Sequence, residues 1–354
     1  MFERPYHRRI TFGDLLRDFV LKNNGDKLLN AIISVQTGSR LHFGLLAFGC
    51  PERRQYGGLG LMIERPTVRL ELGAAQSFTV RGACRDRVCA FAEAWARSEH
   101  AELPAVELVV TDASPSHAGL GSGTQLGLAV AAALFQFVQG RRPAAVELAA
   151  SVGRGLRSSV GTFGFDRGGL IYEDGKLPGE LAGRFRERVE LPDDWRLVLM
   201  SPQHASGLSG EAEVRAFREQ LPAVPLETTE RLERLLHDRV LPAARASEFQ
   251  DFGESLYEYG REAGLCFAAC QGGPYASPQL ERIVAMVRKR GYAGVGQSSW
   301  GPTLFAFVDS PGAAREFCAW FERDSAQAEF GSVGLQIAAI ANHGARVVTE
   351  NRLA

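Results

Sequence analysis

Residues 115–139 read PSHAGLGSGTQLGLAVAAALFQFVQ. After a turn, Gly119, Gly121 and Gly123 lead into a segment with no helix breaker before Gly140, apart from the tolerated Gly127. The pattern predicts one long helix. Its Ala, Leu, Val and Phe residues fall on nearly every face, so the helix is expected to be buried. Ser122 or Thr124 is the expected N-cap, its side-chain oxygen accepting an early backbone N–H. The glycines permit a tight turn and leave backbone N–H groups without side-chain cover. Those groups and the positive end of the helix dipole converge on Gly119, Leu120, Gly121, Ser122, Gly123 and Thr124, a place suited to a phosphate or diphosphate. A plain turn before a buried helix would show the same glycines. The preceding Val106–Thr111 (VELVVT) reads as a strand, which makes the order strand, loop, helix and favours the anion site. No GK[ST] ending follows, so the loop is not of the Walker type, and its spacing is not the GxGxxG of a dinucleotide fold.

Upstream, Ala31–Val35 is a strand candidate leading into TGSRLHFGLLAFG. On a strand Arg40 and His42 point to one face, either toward a ligand or toward water. Gly57, Gly58 and Gly60 read as a second glycine turn before a strand at Leu61–Glu64, and Asp86–Arg97 as an amphipathic helix. Downstream, a helix is expected over Pro143–Val152 with Pro at its first position. The next segment, GRGLRSSVGTFGFDRGGLIYEDG, is a glycine-rich loop region carrying Arg154, Arg157, Asp166 and Arg167, then a strand at Leu170–Glu173.

With 354 residues the chain can bury a sizeable core in one or two domains. Its net charge of −1 gives no global field for nucleic acid or an anionic membrane. No run approaches the ~20 apolar residues of a membrane span, and the basic start has no apolar stretch of signal-peptide length. A cytoplasmic, reducing setting is expected. None of the six cysteines forms a CxxC pair, and Cys266 with Cys270 is either a metal pair or two buried thiols.

PSHAGLGSGTQLGLA resembles the second motif of the GHMP kinase superfamily, P-x-x-x-G-L-G-S-[SG], with Pro115, Gly119, Leu120, Gly121 and Ser122 in place. RLHFG sits where that family carries its first motif, and GQSSWGPTLFAF where it carries its third, which lies against the phosphate loop. The resemblance implies an α+β, two-domain GHMP-kinase-like fold, with a ribosomal S5 domain 2-like N-terminal half and a ferredoxin-like C-terminal half. The expected division is a 1–30 extension, a 31–190 domain with the phosphate loop, and a 191–354 domain. The order of elements from Trp195, two or three helices, Pro278–Arg290, a hairpin in Ala293–Asp309, Pro311–Ser325 and Val333–Asn342, is itself that of a ferredoxin-like half. In sugar and mevalonate kinases an aspartate stands about seven residues before a Gly-Gly pair. Here the pair is Gly168-Gly169 and that position is Gly161.

Four segments in order, RLHFG, YGGLGLMIERP, HAGLGSGTQL and GRGLRSSVGTFGFDRGG, resemble one branch of the superfamily, the β-ribofuranosylaminobenzene 5'-phosphate synthases. That resemblance implies phosphoribosyl transfer from phosphoribosyl pyrophosphate to p-aminobenzoate, with loss of pyrophosphate and CO2, in tetrahydromethanopterin biosynthesis. It also implies Mg2+ and a homodimer. The alternative within the superfamily is an ATP-dependent kinase of a small alcohol. Arg40, Arg157 and Arg167 are the candidates for holding carboxylate or phosphate bidentately, with His42 beside them. His117 is either a phosphate donor at the lip of the loop or a polar turn residue. Asp166 either holds Mg2+ or pairs with an arginine. Gln297, Ser298 and Ser299 are expected to close the site from the second domain.

Overall fold

The computed structural model describes residues 31–203, 215–327 and 330–351. The expected 1–30 extension lies outside the described residues, as does the segment in which Ser209 with Glu211 and Glu213 reads from the sequence as a helix start with acids in its first turn.

Two long antiparallel strands, β1 (Ala31–Leu45) and β2 (Gln55–Ala74), form the spine of the first sheet. Burial alternates along β1 as far as Arg40 and then becomes continuous from Leu41 to Phe43, where the second half of the molecule covers the strand. The expected glycine turn at Gly57, Gly58 and Gly60 is instead strand. A Cβ at Gly58 would lie 2.2 Å from the Gly44 carbonyl oxygen, and one at Gly60 would lie 2.4 Å from that of Leu41. Glycine there serves close strand approach, not chain reversal.

β3 (Thr79–Gly82), α1 (Arg85–Ser98), β4 (Val106–Asp112) and α2 (Ser122–Gln139) follow. α2 is the predicted buried helix: thirteen of its residues are buried. It packs on Ile33, Val35, Leu70, Leu72 and Leu108, and Phe135 meets Trp95 of α1 edge to face at 5.7 Å. Fully burying each large apolar side chain stabilises by about 1.5–3 kcal/mol, and Leu128→Ala would cost about 2–5 kcal/mol. The N-cap differs from expectation. It is Gly121, left-handed at φ 68°, with no side-chain cap, and its carbonyl accepts the N–H groups of Thr124 and Gln125. Glycine tolerates that conformation without a Cβ penalty.

α3 (Ala145–Ser151) begins two residues later than Pro143. α4 (Val160–Arg167) replaces the expected loop: it is a helix, and its glycines let it lie close to β2, since a Cβ at Gly164 would meet Met62 Sδ at 2.5 Å. β5 (Leu170–Lys176) pairs with the early part of β2, and the unforeseen β6 (Phe185–Val189) pairs with β5.

The second sheet has the order β10-β7-β9-β8, built from β7 (Arg196–Pro202), β8 (Val295–Gln297), β9 (Leu304–Val308) and β10 (Val333–Ala339). Between β7 and β8 come α5 (Leu226–Leu235), α6 (Leu241–Ala246), α7 (Phe249–Leu265), α8 (Ala268–Gln271) and α9 (Pro278–Lys289); α10 (Pro311–Gln327) links β9 to β10. This is the ferredoxin-like arrangement. The strand expected over Val333–Asn342 stops at Ala339, and a further strand, β11 (Arg346–Asn351), returns to pair with β1. The 191–354 segment is therefore not self-contained. β11 satisfies the edge of β1, whose N–H and C=O groups would otherwise lie open.

One core joins the halves: Leu41, Phe43, Leu59 and Leu61 pack with Leu197 and Leu199 of β7, Phe305 and Phe307 of β9, and Phe252 and Tyr259 of α7. Cys266 and Cys270 are half-buried free thiols. They hydrogen-bond to Glu262 and Gln220 respectively, and no metal-binding group of three or more His, Cys, Asp or Glu side chains occurs among the described residues. Among the described residues, no helix is long and apolar enough to cross a membrane.

Candidate active site

A cleft of about 400 Å³ opens where the two halves meet, a volume suited to a small-molecule site. β1 supplies Arg40 and His42 from one face, as the strand alternation predicts, and both line the cleft. The Arg40 N–H donates to the Leu120 carbonyl at 3.0 Å, which ties the glycine loop to β1. Gly119, Gly121, Gly123, Ser122 and Thr124 line the cleft with Leu120, which is itself buried.

The second half clamps this loop. Ser298 Oγ donates to the Gly119 carbonyl at 2.8 Å and accepts the His42 N–H at 3.1 Å, while the Ser299 N–H donates to the His42 carbonyl at 2.9 Å. Gly119 and Gly301 touch through backbone alone: a Cβ at Gly119, where φ is 80°, would lie 2.3 Å from Ser298 O and 2.8 Å from Gly301 Cα. Ser298 is fully buried and serves as the clamp. Gln297 and Ser299 line the cleft, but the Gln297 amide is committed to Ala276 N–H and Ser299 O. His117 stands at the rim, exposed and left-handed at φ 61°.

Arginine sets the electrostatics. Arg40 lies along Gly121 and Gly161, with Nε 3.6 and 3.7 Å from where their Cβ atoms would be. Arg154 and Arg87 converge on Gly123, their Nη2 atoms 2.8 and 3.0 Å from a Cβ there. Arg157 stacks on Phe217, with Cζ 4.9 Å from the ring centroid. All four arginines line the cleft, and no Asp or Glu does so among the described residues. Three of these guanidinium groups, those of Arg40, Arg87 and Arg154, lie against the glycine loop and the first turn of α2 and make a strong anion site. Arg87 carries no sequence signal beyond an amphipathic helix, and nothing local in GRGLRSS marks Arg154 as a site residue.

Two expected site residues are elsewhere. Because residues 160–167 are helical, Asp166 and Arg167 are turned away from the cleft and exposed. Asp166 Oδ2 accepts the Ala145 N–H at 3.0 Å and so caps α3, with Arg142 3.9 Å from its carboxylate. Arg167 stacks on Phe185 at 4.1 Å. Both have structural work outside the site. The donor set lining the cleft, guanidinium, amide and hydroxyl, suits phosphate oxygens and does not fit a protein-held Mg2+, which needs carboxylate ligands.

Beneath the cleft runs a buried hydrogen-bond chain. His42 Nε2 lies 3.0 Å from Ser158 Oγ, and that hydroxyl donates to Glu173 Oε1 at 3.0 Å. Glu173 is fully buried and also accepts the N–H groups of Ser159 and Gly175. Burial pushes its pKa up to about 7, against the pull of those three donors. Burial, then neighbouring Arg40, holds His42 well below the usual imidazole range, so the ring is neutral. The far wall is aromatic: Phe217 stacks on Trp300 at 5.3 Å and 7°, and Phe267 meets Trp300 edge to face at 4.9 Å. Trp300 Nε1 is buried with no hydrogen-bond partner among the described residues.

The pattern described as GHMP kinases N terminal domain matches residues 86–166, and that described as GHMP kinases C terminal matches 240–323. Among solved structures, a homoserine kinase from Cytophaga hutchinsonii superposes with a TM-score of 0.61 at 15% identity, covering 90% of this chain and 98% of that one. Mevalonate diphosphate decarboxylase from Staphylococcus aureus gives 0.62 at 14% identity, with the same coverage of each chain. At such identities these likenesses show the fold alone. The β-ribofuranosylphenol 5'-phosphate synthase of Methanothermobacter thermautotrophicus is 30% identical over 296 residues, covering 78% of this chain and 88% of the relative. The chain belongs to the β-ribofuranosylphenol 5'-phosphate synthase family. A second relative so named, from Archaeoglobus fulgidus, is 30% identical over 294 residues, covering 79% and 88%. A synthase-family chain thus carries a GHMP-kinase fold in which Gly161 stands where the kinases' aspartate is expected and Arg40 fills the space beside it.

Proposed function

We propose that the protein transfers the phosphoribosyl group of phosphoribosyl pyrophosphate to the carboxyl-bearing ring carbon of p-aminobenzoate or 4-hydroxybenzoate. The relatives' names carry a phenol product, whereas the sequence resemblance points to an aminobenzene. Both acceptors place an electron-donating group para to the reacting carbon. The observation that carries the reading is the cleft itself: three arginines at a helix N-terminus, a fourth over an aromatic wall, and no carboxylate among the described residues that line it.

The C1–O bond of the ribose breaks, and its electron pair leaves with pyrophosphate. The Gly119–Gly123 amides and the guanidinium groups of Arg40, Arg87 and Arg154 stabilise that departing charge. The ring carbon supplies the pair for the new C–C bond. The carboxylate then leaves as CO2, and its bonding pair restores the aromatic ring. No proton is removed from the attacked carbon, so a glycine at 161 costs the reaction nothing. Phe217 and Trp300 offer the acceptor an apolar wall, with Arg157 placed over Phe217 to meet a carboxylate. A Mg2+ ion would enter on the diphosphate rather than on protein ligands. A homodimer remains part of this proposal and is checked by light scattering.

Incubation with phosphoribosyl pyrophosphate and each carboxyl-labelled benzoate should release labelled CO2 and pyrophosphate with no nucleotide present. ADP formation from ATP and an alcohol, with no CO2 from either benzoate, would replace this reading with a kinase.

A further inference from the structure

Glu173 is a fully buried carboxylate whose bonds end on the turn before α4, on Gly175 of its own strand and, through Ser158, on His42. The nearby cations do not pair with it: Arg54 is bonded to Glu180, and Lys176 Nζ donates to the Gly155 carbonyl. Keeping an ionised carboxylate there without a cation is costly. Its bond from the Ser159 N–H anchors the start of α4 and that from the Gly175 N–H stays within β5, yet Ser158 extends the chain one step further, into the cleft. A hydroxyl has one hydrogen. With Glu173 ionised, Ser158 gives that hydrogen to the carboxylate, and must accept from His42 Nε2–H. Nδ1 is then the ring's acceptor.

We propose that Ser158 and Glu173 are positioning residues that hold His42 as its Nε2–H tautomer, so that Nδ1 accepts a hydrogen bond from the para N–H or O–H of the acceptor ring. The inference rests on the reaction assigned above. His42 lies two residues, roughly 6.6 Å, along β1 from Arg40 on the same face. An aromatic ring spans the distance between a reacting carbon near Arg40 and a para group near His42. As the ring attacks, its para substituent donates electrons and becomes positive, and its N–H or O–H becomes a stronger donor. A neutral acceptor stabilises that charge; an imidazolium would repel it. No proton is transferred, and the charge returns to the ring when CO2 departs. The carboxylate behind Ser158 raises the basicity of His42 through two hydrogen bonds, as the outer partner of a ligating histidine does.

The test is Ser158→Ala, which leaves both backbone bonds to Glu173 in place. We expect kcat for CO2 release to fall about tenfold to a hundredfold, with KM for phosphoribosyl pyrophosphate unchanged and Ser158→Thr restoring the rate. In the free protein, imidazole 15N shifts assigned to His42 with a His42→Gln control should show Nε2–H in the wild type and a tautomer mixture in Ser158→Ala. A wild-type rate or an unchanged tautomer in Ser158→Ala would overturn the proposal. A wild-type protein that released no CO2 from either benzoate would remove the assigned reaction instead, while the nitrogen shifts would still decide the positioning.

Discussion

Gly161 is where the chemistry of this chain parts from that of the kinases, and restoring an aspartate there has a calculable effect. A Cβ at Gly161 would meet Gln125 Nε2 and Thr124 Cγ2 at 3.5 Å and Arg40 Nε at 3.7 Å, all ordinary contacts. The position has helical backbone, so Gly161→Ala should stabilise the fold by about 0.5–1 kcal/mol, raising the melting midpoint by about 1–3 °C. Gly161→Asp adds a carboxylate to the same space, within reach of Arg40. Its charge pairs with that guanidinium and withdraws it from the diphosphate. One charge-assisted hydrogen bond is worth about 1.5–3 kcal/mol, so affinity for phosphoribosyl pyrophosphate should fall roughly tenfold to a hundredfold. Titration calorimetry on both variants, with thermal melts alongside, separates charge from volume. Wild-type affinity in Gly161→Asp would refute the assignment of Arg40 to the diphosphate. An equal loss in Gly161→Ala would show that space, not charge, is what the position protects.

Gly119→Ala combines a left-handed conformation with a clash against Ser298 O at 2.3 Å, so it should separate the two clamped loops and weaken phosphoribosyl pyrophosphate binding far more than Gly121→Ala, whose Cβ would meet only the side chain of Arg40, at 3.3 Å; calorimetry on the pair checks this. Trp300→Phe removes a buried donor that has no partner among the described residues, so the melting midpoint should hold or rise while KM for the benzoate increases and that for the ribose donor does not. Glu173, raised to about 7 by burial, binds its proton more tightly folded than unfolded, so its contribution is full below the unfolded carboxylate pKa and roughly 3 kcal/mol is lost as pH rises to about 7. His42 is depressed, so its contribution is present above about pH 6.5 and lost as pH falls. Urea midpoints across pH about 5–8 should therefore fall more steeply with pH in His42→Gln and rise with pH in Glu173→Gln; parallel curves would contradict the pair.

The buried helix α2, the glycine loop ahead of it and the ferredoxin-like order of the second half were all legible, because each rests on local pattern. Apolar residues on every face mean burial wherever the helix sits, and glycines before a helix expose its amides. Arg40 and His42 were legible for the same reason, since strand alternation is local. The errors share a cause as well. Gly57, Gly58 and Gly60, and Gly164, look like turn formers in isolation, yet each is small because a neighbouring strand or side chain comes too close for a Cβ. Once residues 160–167 form a helix, Asp166 and Arg167 must leave the site.

The amino-acid sequence by itself determined that bare amides would stand at the start of a buried helix, since composition and spacing within 25 residues suffice for that. It could not say which arginines gather there. Arg87 comes from α1, Arg40 from β1, and Arg154 and Arg157 from the turn before α4, and only the folded sheet brings them to one place. The His42–Ser158–Glu173 chain is likewise a product of tertiary structure: its links are 116 and 15 residues apart, and a hydrogen bond depends on distance in space, not along the chain.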